Sequence, residues 1–215
     1  MARVGDQLTA PESGWKRYDD KDSAISYVGT GWFSNPGGKS WQGTDQCTNV
    51  VGDMIKFNFT GTRIRYISWM FNNRTNAVVI TIDGVPYTFS QYGTQTQEPQ
   101  KLVFEKTGLS DTEHFVTVVS QSSGYFDLDA IDLDETGELR PYSRGKVLLR
   151  FTMNDSSERE YQISAEEGDE FVKWSNRTVD TGASHYMFYK VVGEQKSKEY
   201  VFFEKIISFE VVEVK

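Results

Sequence analysis

Apolar and polar residues alternate along much of the first two thirds of the chain. Ile55, Phe57 and Phe59 are interleaved with Lys56, Asn58 and Thr60, the two-residue period of a strand with one buried face. The same alternation, or a short apolar run bounded by Gly, Asn, Pro or Asp, recurs at 24–33, 40–49, 53–60, 63–70, 77–83, 85–90, 101–106, 114–120 and 125–134. Gly61-Thr62 and Asp83-Gly84 fall between apolar runs as tight-turn signals. Closely spaced short strands predict a β-sandwich over residues 15–138, entered through a loose polar lead-in, 1–14. Phe126 and Leu128 keep one phase while Ile131 and Leu133 keep the other. That slip predicts a β-bulge at Asp129-Ala130.

The pattern changes across TGELRPYSRG (136–145), within which residues 139–145 are read as a linker. Beyond it Val147, Leu149, Phe151 and Met153 share one strand face, and Asn154–Ser157 turns the chain back into 159–163. Ser164 and Glu167 have capping-box spacing, in which each satisfies an open backbone N–H of the other. The helix they open carries Gly168, Phe171, Val172 and Ser175 on one face and ends near Asn176. Apolar runs at 185–192 and 199–214 complete a small α+β (ββαββ) domain, 146–215. The last run holds Phe202, Phe203, Ile206, Ile207 and Phe209, too many for one strand face. Another layer or another chain must cover them, so a protein partner or self-association through 146–215 is expected.

Charge narrows the partners. Against 31 acidic residues stand 23 basic ones, a net −8. This balance argues against nucleic acid and anionic membrane surfaces. No apolar stretch approaches the roughly 20 residues of a spanning helix, so no membrane insertion is expected. Cys47 is the one cysteine, which rules out an internal disulfide and a cysteine-built metal site. MARVGDQLTAPESG at the amino terminus has no signal-peptide core. An extracellular or virion-associated location is therefore expected by another route, such as release with a particle.

The pieces ISYVGTGW, GGKSWQG, FNFTGTRIRYISW, VVITIDGV, VFEKTGLSDTEHFVTV and YFDLDAIDL resemble the jelly-roll carbohydrate-binding modules of the galactose-binding-like superfamily. The run that holds them, from about Ile25 to Asp132, is about half the chain. Modules of this kind accompany secreted glycoside hydrolases and occur in tail-fibre and surface proteins of Gram-positive bacteria and their phages. The resemblance implies a jelly roll that binds glycan or polysaccharide.

If consecutive strands reverse direction, alternate loops gather at opposite poles. One pole collects 50–52, 70–76, 91–100 and 121–125; the other collects 33–39, 61–62, 83–84 and 108–113. At the first pole Trp69, Phe71, Tyr92 and Tyr125 offer flat faces to sugar C–H groups, and Asn72, Asn73, Arg74 and Gln95 offer hydrogen-bonding groups to vicinal hydroxyls. Trp69 and Phe71 serve equally well as core packers, and Asn72-Asn73 as turn residues. Trp32 and Trp41, bracketing a loop of the second pole, form the reserve site. Asp19 and Asp20 before the first strand, with Asp129 and Asp132 on the last, form a candidate structural calcium site of hard oxygens.

Of two histidines, His114 sits at the foot of a hairpin and His185 starts a strand. There is no GxSxG, HExxH, P-loop or Cys–His pairing. The expectation is a non-enzymatic carbohydrate-binding protein that attaches a larger assembly to cell-surface glycan or polysaccharide. One alternative is a structural component of a phage tail or virion whose second domain docks a partner. Another is an accessory or catalytic fragment of a glycoside hydrolase.

Overall fold

A computed structural model describes residues 1–36, 38–178, 181–192 and 195–214. They are mainly β and divide into two compact units, Met1–Tyr142 and Ser143–Lys215. The first unit contains β1 (Trp15–Asp19), β2 (Ser26–Val28), β3 (Phe33–Pro36), β4 (Thr44–Thr48), β5 (Met54–Gly61), β6 (Ile64–Met70) and β7 (Val78–Ile82). It continues with β8 (Val85–Phe89), β9 (Glu98–Lys106), β10 (Thr112–Ser120), β11 (Phe126–Leu128), β12 (Ala130–Asp134) and β13 (Leu139–Arg140). One sheet runs β1-β12-β6-β9; a second runs β13-β5-β10-β7-β8, with β2 also on β5; a small third runs β11-β4-β3.

The alternation seen in the sequence becomes the core. Ile55, Phe57 and Phe59 of β5 are fully buried and pack with Val116 and Val118 of β10 and Ile80 of β7. Ile64 and Tyr66 of β6 and Ile131 and Leu133 of β12 complete the same cluster. Each such aliphatic or aromatic side chain contributes about 1.5–3 kcal/mol on burial. The β7–β8 turn has φ of 51° at Asp83 and 80° at Gly84, the two left-handed residues that a tight hairpin requires. Asp83 also accepts from His114 Nδ1 at 2.5 Å and from the Phe115 N–H at 3.1 Å, so His114 braces this hairpin.

Three expectations change. The phase slip near residue 129 is a sheet switch and not a bulge: β11 belongs to the small sheet and β12 to the first, with Asp129 between them. The strand β1 was missed because WKRYD carries no apolar alternation. Its Arg17 is nonetheless buried, held bidentate by Asp132 at 2.6 and 2.8 Å. The lead-in lies along β9, where the N–H groups of Gly5 and Leu8 donate to Leu102 and Gln100 at 2.8 Å each. Leu8 buries itself there with Ile67, Leu102 and Ala130.

The second unit contains β14 (Lys146–Met153), β15 (Glu158–Ser164), α1 (Ala165–Ser175), β16 (His185–Val192), β17 (Gln195–Phe202) and β18 (Ile206–Glu213). Its sheet order is β15-β14-β18, and β16 pairs with β17. Ser164 caps α1 by accepting from the Glu167 N–H at 3.1 Å. Phe171 from α1 packs with Leu149, Phe151 and Phe188 in a separate core. The run 199–214, read as one strand, is broken by a short turn at 203–205. The strand count therefore rises by one, and the surplus of apolar residues is shared between two strands.

Candidate functional site

The loops following β6, β8 and β10 meet at one pole of the first unit, tied by main-chain hydrogen bonds. The Thr75 N–H donates to Tyr125 O at 2.9 Å, Tyr125 N–H to Asn73 O at 2.9 Å, Gln91 N–H to Thr75 O at 3.0 Å and Gly93 N–H to Phe71 O at 3.0 Å. Two glycines permit this approach. A Cβ on Gly124, where φ is 111°, would stand 2.7 Å from the Arg74 carbonyl carbon. One on Gly93 would stand 3.1–3.2 Å from Met70 and Phe71. Here glycine lets backbone approach backbone.

Arg74 is the fixed point of the pole. Its Nε lies 2.7 Å from Asp127 Oδ2, an ion pair outside hydrogen-bond alignment. Its guanidinium carbon sits 5.5 Å from the centre of the Tyr125 ring. Asp127 is fully buried; Oδ1 accepts from Ser68 Oγ and from the Trp69 N–H at 3.0 Å. Gln91, also buried, grips the Asp127 backbone, donating to its carbonyl at 2.6 Å and accepting its N–H at 3.1 Å. Burial pushes the Asp127 pKa up to about 6 against the pull of Arg74.

Two shallow clefts open on either side. One, of about 280 Å³, is lined by Asn72, Asn73, Arg74, Asn76, Tyr92 and the Ser123-Gly124 turn. The other, of about 240 Å³, is lined by Asn35, Trp69, Phe71, Asn73, Arg74 and Gln97. Tyr92 is 53% exposed, so its ring is available for stacking. Asn72 and Asn73 are exposed beside it. Trp69 is only 7% exposed and donates Nε1–H to Ser40 Oγ at 2.8 Å, so it floors the second cleft by its edge and is no platform. Tyr125, half-buried, supports Arg74 and meets Phe33 edge-on at 6.5 Å. Gln95 is exposed on the same loop and lines neither cleft.

The reserve pair does not converge. Trp32 packs against the main core beside Tyr27 and Phe126, whereas Trp41 joins the Leu8 cluster under the Arg17 guanidinium. Phe33 and Asn35, assigned from strand parity to the opposite pole, stand at this one. Parity fails because β3 and β4 form a side sheet with β11 and do not add to the main ones. Asp127, Asn35 and Gln97 went unread as site residues. For Asp127 a signal existed: a carboxylate between Phe126 and Leu128 in a buried run needs buried polar partners.

The four candidate calcium ligands do not make one set. Both oxygens of Asp132 are taken by Arg17. Asp20 accepts from Thr44 Oγ1 at 3.0 Å, and Asp129 from the Trp41 N–H at 2.7 Å. Burial raises the pKa of these two to about 6 and about 8. Among the described residues no group of three or more His, Cys, Asp or Glu side chains is placed to hold a metal. No helix among them is long and apolar enough to cross a membrane. Larger clefts, of about 350–490 Å³, lie in the second unit. None of them has an exposed aromatic beside a cation fixed from below by a buried acid.

No protein-family model matches the chain. Over 107 residues, 48% of the chain, it is 34% identical to the A type blood N-acetyl-alpha-D-galactosamine deacetylase of Flavonifractor plautii. Over 119 residues, 55% of the chain, it is 32% identical to the A type blood alpha-D-galactosamine galactosaminidase of the same organism. Each match is longer than the second unit and so includes part of the first. The chain spans only 13% and 11% of these relatives. Among solved structures, a family two carbohydrate esterase from Cellvibrio japonicus aligns with a TM-score of 0.46 at 16% identity, over 61% of this chain and 36% of that one.

These matches correct one expectation. The absence of catalytic motifs had set the chain outside the enzymes, yet both curated relatives are named as enzymes. A motif search detects linear nucleophile and metal signatures. Carboxylate pairs assembled by a fold leave no such trace.

Proposed function

We propose that the first unit is a glycan-recognition module of a carbohydrate-active protein, of the galactose-binding-like jelly-roll kind, acting outside the cell on surface glycan or polysaccharide. The observation that carries this reading is Arg74, locked by the buried Asp127 and flanked by Asn72, Asn73 and the exposed ring of Tyr92. Sugar recognition needs a donor held in advance and an apolar face for the ring; the fixed Arg74 and the exposed Tyr92 ring support that reading. Similarity to a deacetylase and a galactosaminidase supports the same substrate class. A glycan array probed with the whole chain should give hits containing galactose or N-acetylgalactosamine. Tyr92→Ala should reduce their binding about two- to tenfold, since ring stacking of this kind is worth about 0.5–1.5 kcal/mol. A chain that binds no glycan, or a variant that binds like the parent, contradicts the proposal.

A second role, attachment to a protein partner as in a tail or virion assembly, is supported by β18. Its outer edge has no strand partner among the described residues, and Ile207, Val211 and Val212 are 66%, 40% and 40% exposed. Such an edge is a template for another chain. Light scattering on the whole chain should show self-association that Val212→Lys reduces; a monomer at all concentrations would contradict self-association.

A further inference from the structure

The two clefts at the loop pole share Asn73 and Arg74. We propose that they are consecutive subsites for two linked, uncharged pyranose rings, with the glycosidic linkage lying over Asn73 and Arg74. The inference rests on the glycan-binding reading and adds to it the length and charge of the ligand.

Size comes first. At about 280 and 240 Å³, each cleft falls just below the range of roughly 300–1,000 Å³ that holds a whole drug-sized ligand. Each suits a single ring, and the pair suits two. The linings match this division. The first has a stacking face, Tyr92, with the amides of Asn72 and Asn76. The second has its own apolar surface, Phe71 and the edge of Trp69, with the amides of Asn35 and Gln97. Arg74 stands between them and cannot swing away, because Asp127 holds it at 2.7 Å. It is a shared donor to both rings.

Charge decides the chemistry of the sugar. The one cation lining the two clefts, Arg74, is already balanced by Asp127. The other polar groups lining them are amides and hydroxyls, which recognise neutral hydroxyl and acetamido groups. A sulfate or uronate would meet no uncompensated positive charge and would lose hydration without a counter-ion.

Titration calorimetry on the whole chain tests this. The probes are methyl galactoside and methyl N-acetylgalactosaminide, against neutral disaccharides ending in the same residues and their sulfated forms. Neutral disaccharides should bind about tenfold tighter than methyl glycosides, the worth of one or two added hydrogen bonds. Gln97→Ala, at an exposed position of the second cleft, should remove most of that gain. Tyr92→Ala should weaken both ligand classes. The two-ring site is overturned if disaccharides bind no tighter than methyl glycosides, if Gln97→Ala has no effect on the disaccharides, or if sulfated forms bind tighter than neutral ones. In each of those outcomes the chain still binds sugar and the glycan reading stands. Failure of every probe to bind overturns both.

Discussion

Asp129 shows what burial does to a single side chain here. It is fully buried, its Oδ2 has no hydrogen-bond partner, and burial lifts its pKa to about 8. An acid whose pKa rises on folding keeps its proton longer in the native state. Between about pH 4 and 8 the native state therefore binds more protons than the unfolded chain, and stability falls as pH rises through that window. Asp20, raised to about 6 chiefly by burial, and Asp127, also raised to about 6 by burial, steepen the fall below pH 6. His114 has the same sign. Burial alone would lower it, but its bonds to Asp83 and to the carbonyls of Ser110 and Gly61 raise it overall, and that support is lost as pH climbs past its folded pKa. The first unit should thus melt several degrees higher at pH 5 than at pH 8.5. Asp129→Asn, which can still accept from the Trp41 N–H, should flatten the pH 6–8 part of the curve and raise the melting temperature at pH 8. Calorimetric scans across pH check this; a parent more stable at pH 8.5 than at pH 5 contradicts it. Arg17 tells the opposite story of a charge fully paired. Arg17→Met leaves Asp132 buried and alone and should cost about 3–5 kcal/mol in denaturant melts, whereas Arg17→Met with Asp132→Leu should recover most of the loss.

At the scale of elements, the strands most legible in the sequence are those whose side chains alternate between core and solvent. β5 is the clearest: Ile55, Phe57 and Phe59 are buried as read. β1 is hard to read because its one buried apolar residue, Trp15, stands alone, and the Arg17 side chain is buried by pairing with Asp132 of β12, which hydropathy counts as surface. The sheet switch at Asp129 produced a real phase slip, but alternation cannot tell a bulge from a strand that changes sheets. Loops 70–76, 91–100 and 121–125 follow from parity, whereas the contribution of β3 depends on a side sheet that parity does not contain. The glycines joining these loops give a direct test. Gly124→Ala places a Cβ against the Arg74 backbone at a left-handed φ and should cost about 1–3 kcal/mol while lowering sugar affinity. Gly84→Ala meets no atom within 4 Å and lies in a distant turn; it should strain the hairpin yet leave affinity unchanged. Equal affinity loss in the two variants would contradict the proposed placement of the site.

For the whole molecule, the first unit supplies a rigid sandwich that presents three loops at one pole, and the second supplies a small sheet with an open apolar edge. A shallow site of this kind buries little ligand surface, so one copy should bind weakly, and multiple copies would gain through effective concentration. The central claim is that sugar binds across Arg74, between Tyr92 and Gln97. Backbone amide NMR of the labelled whole chain, titrated with the best disaccharide from the array, tests it most directly. Shifts should concentrate at 72–76, 92–97 and 123–125, with little change in the 61–62, 83–84 and 108–111 turns. Shifts confined to those turns, or to residues 143–214, would contradict the account.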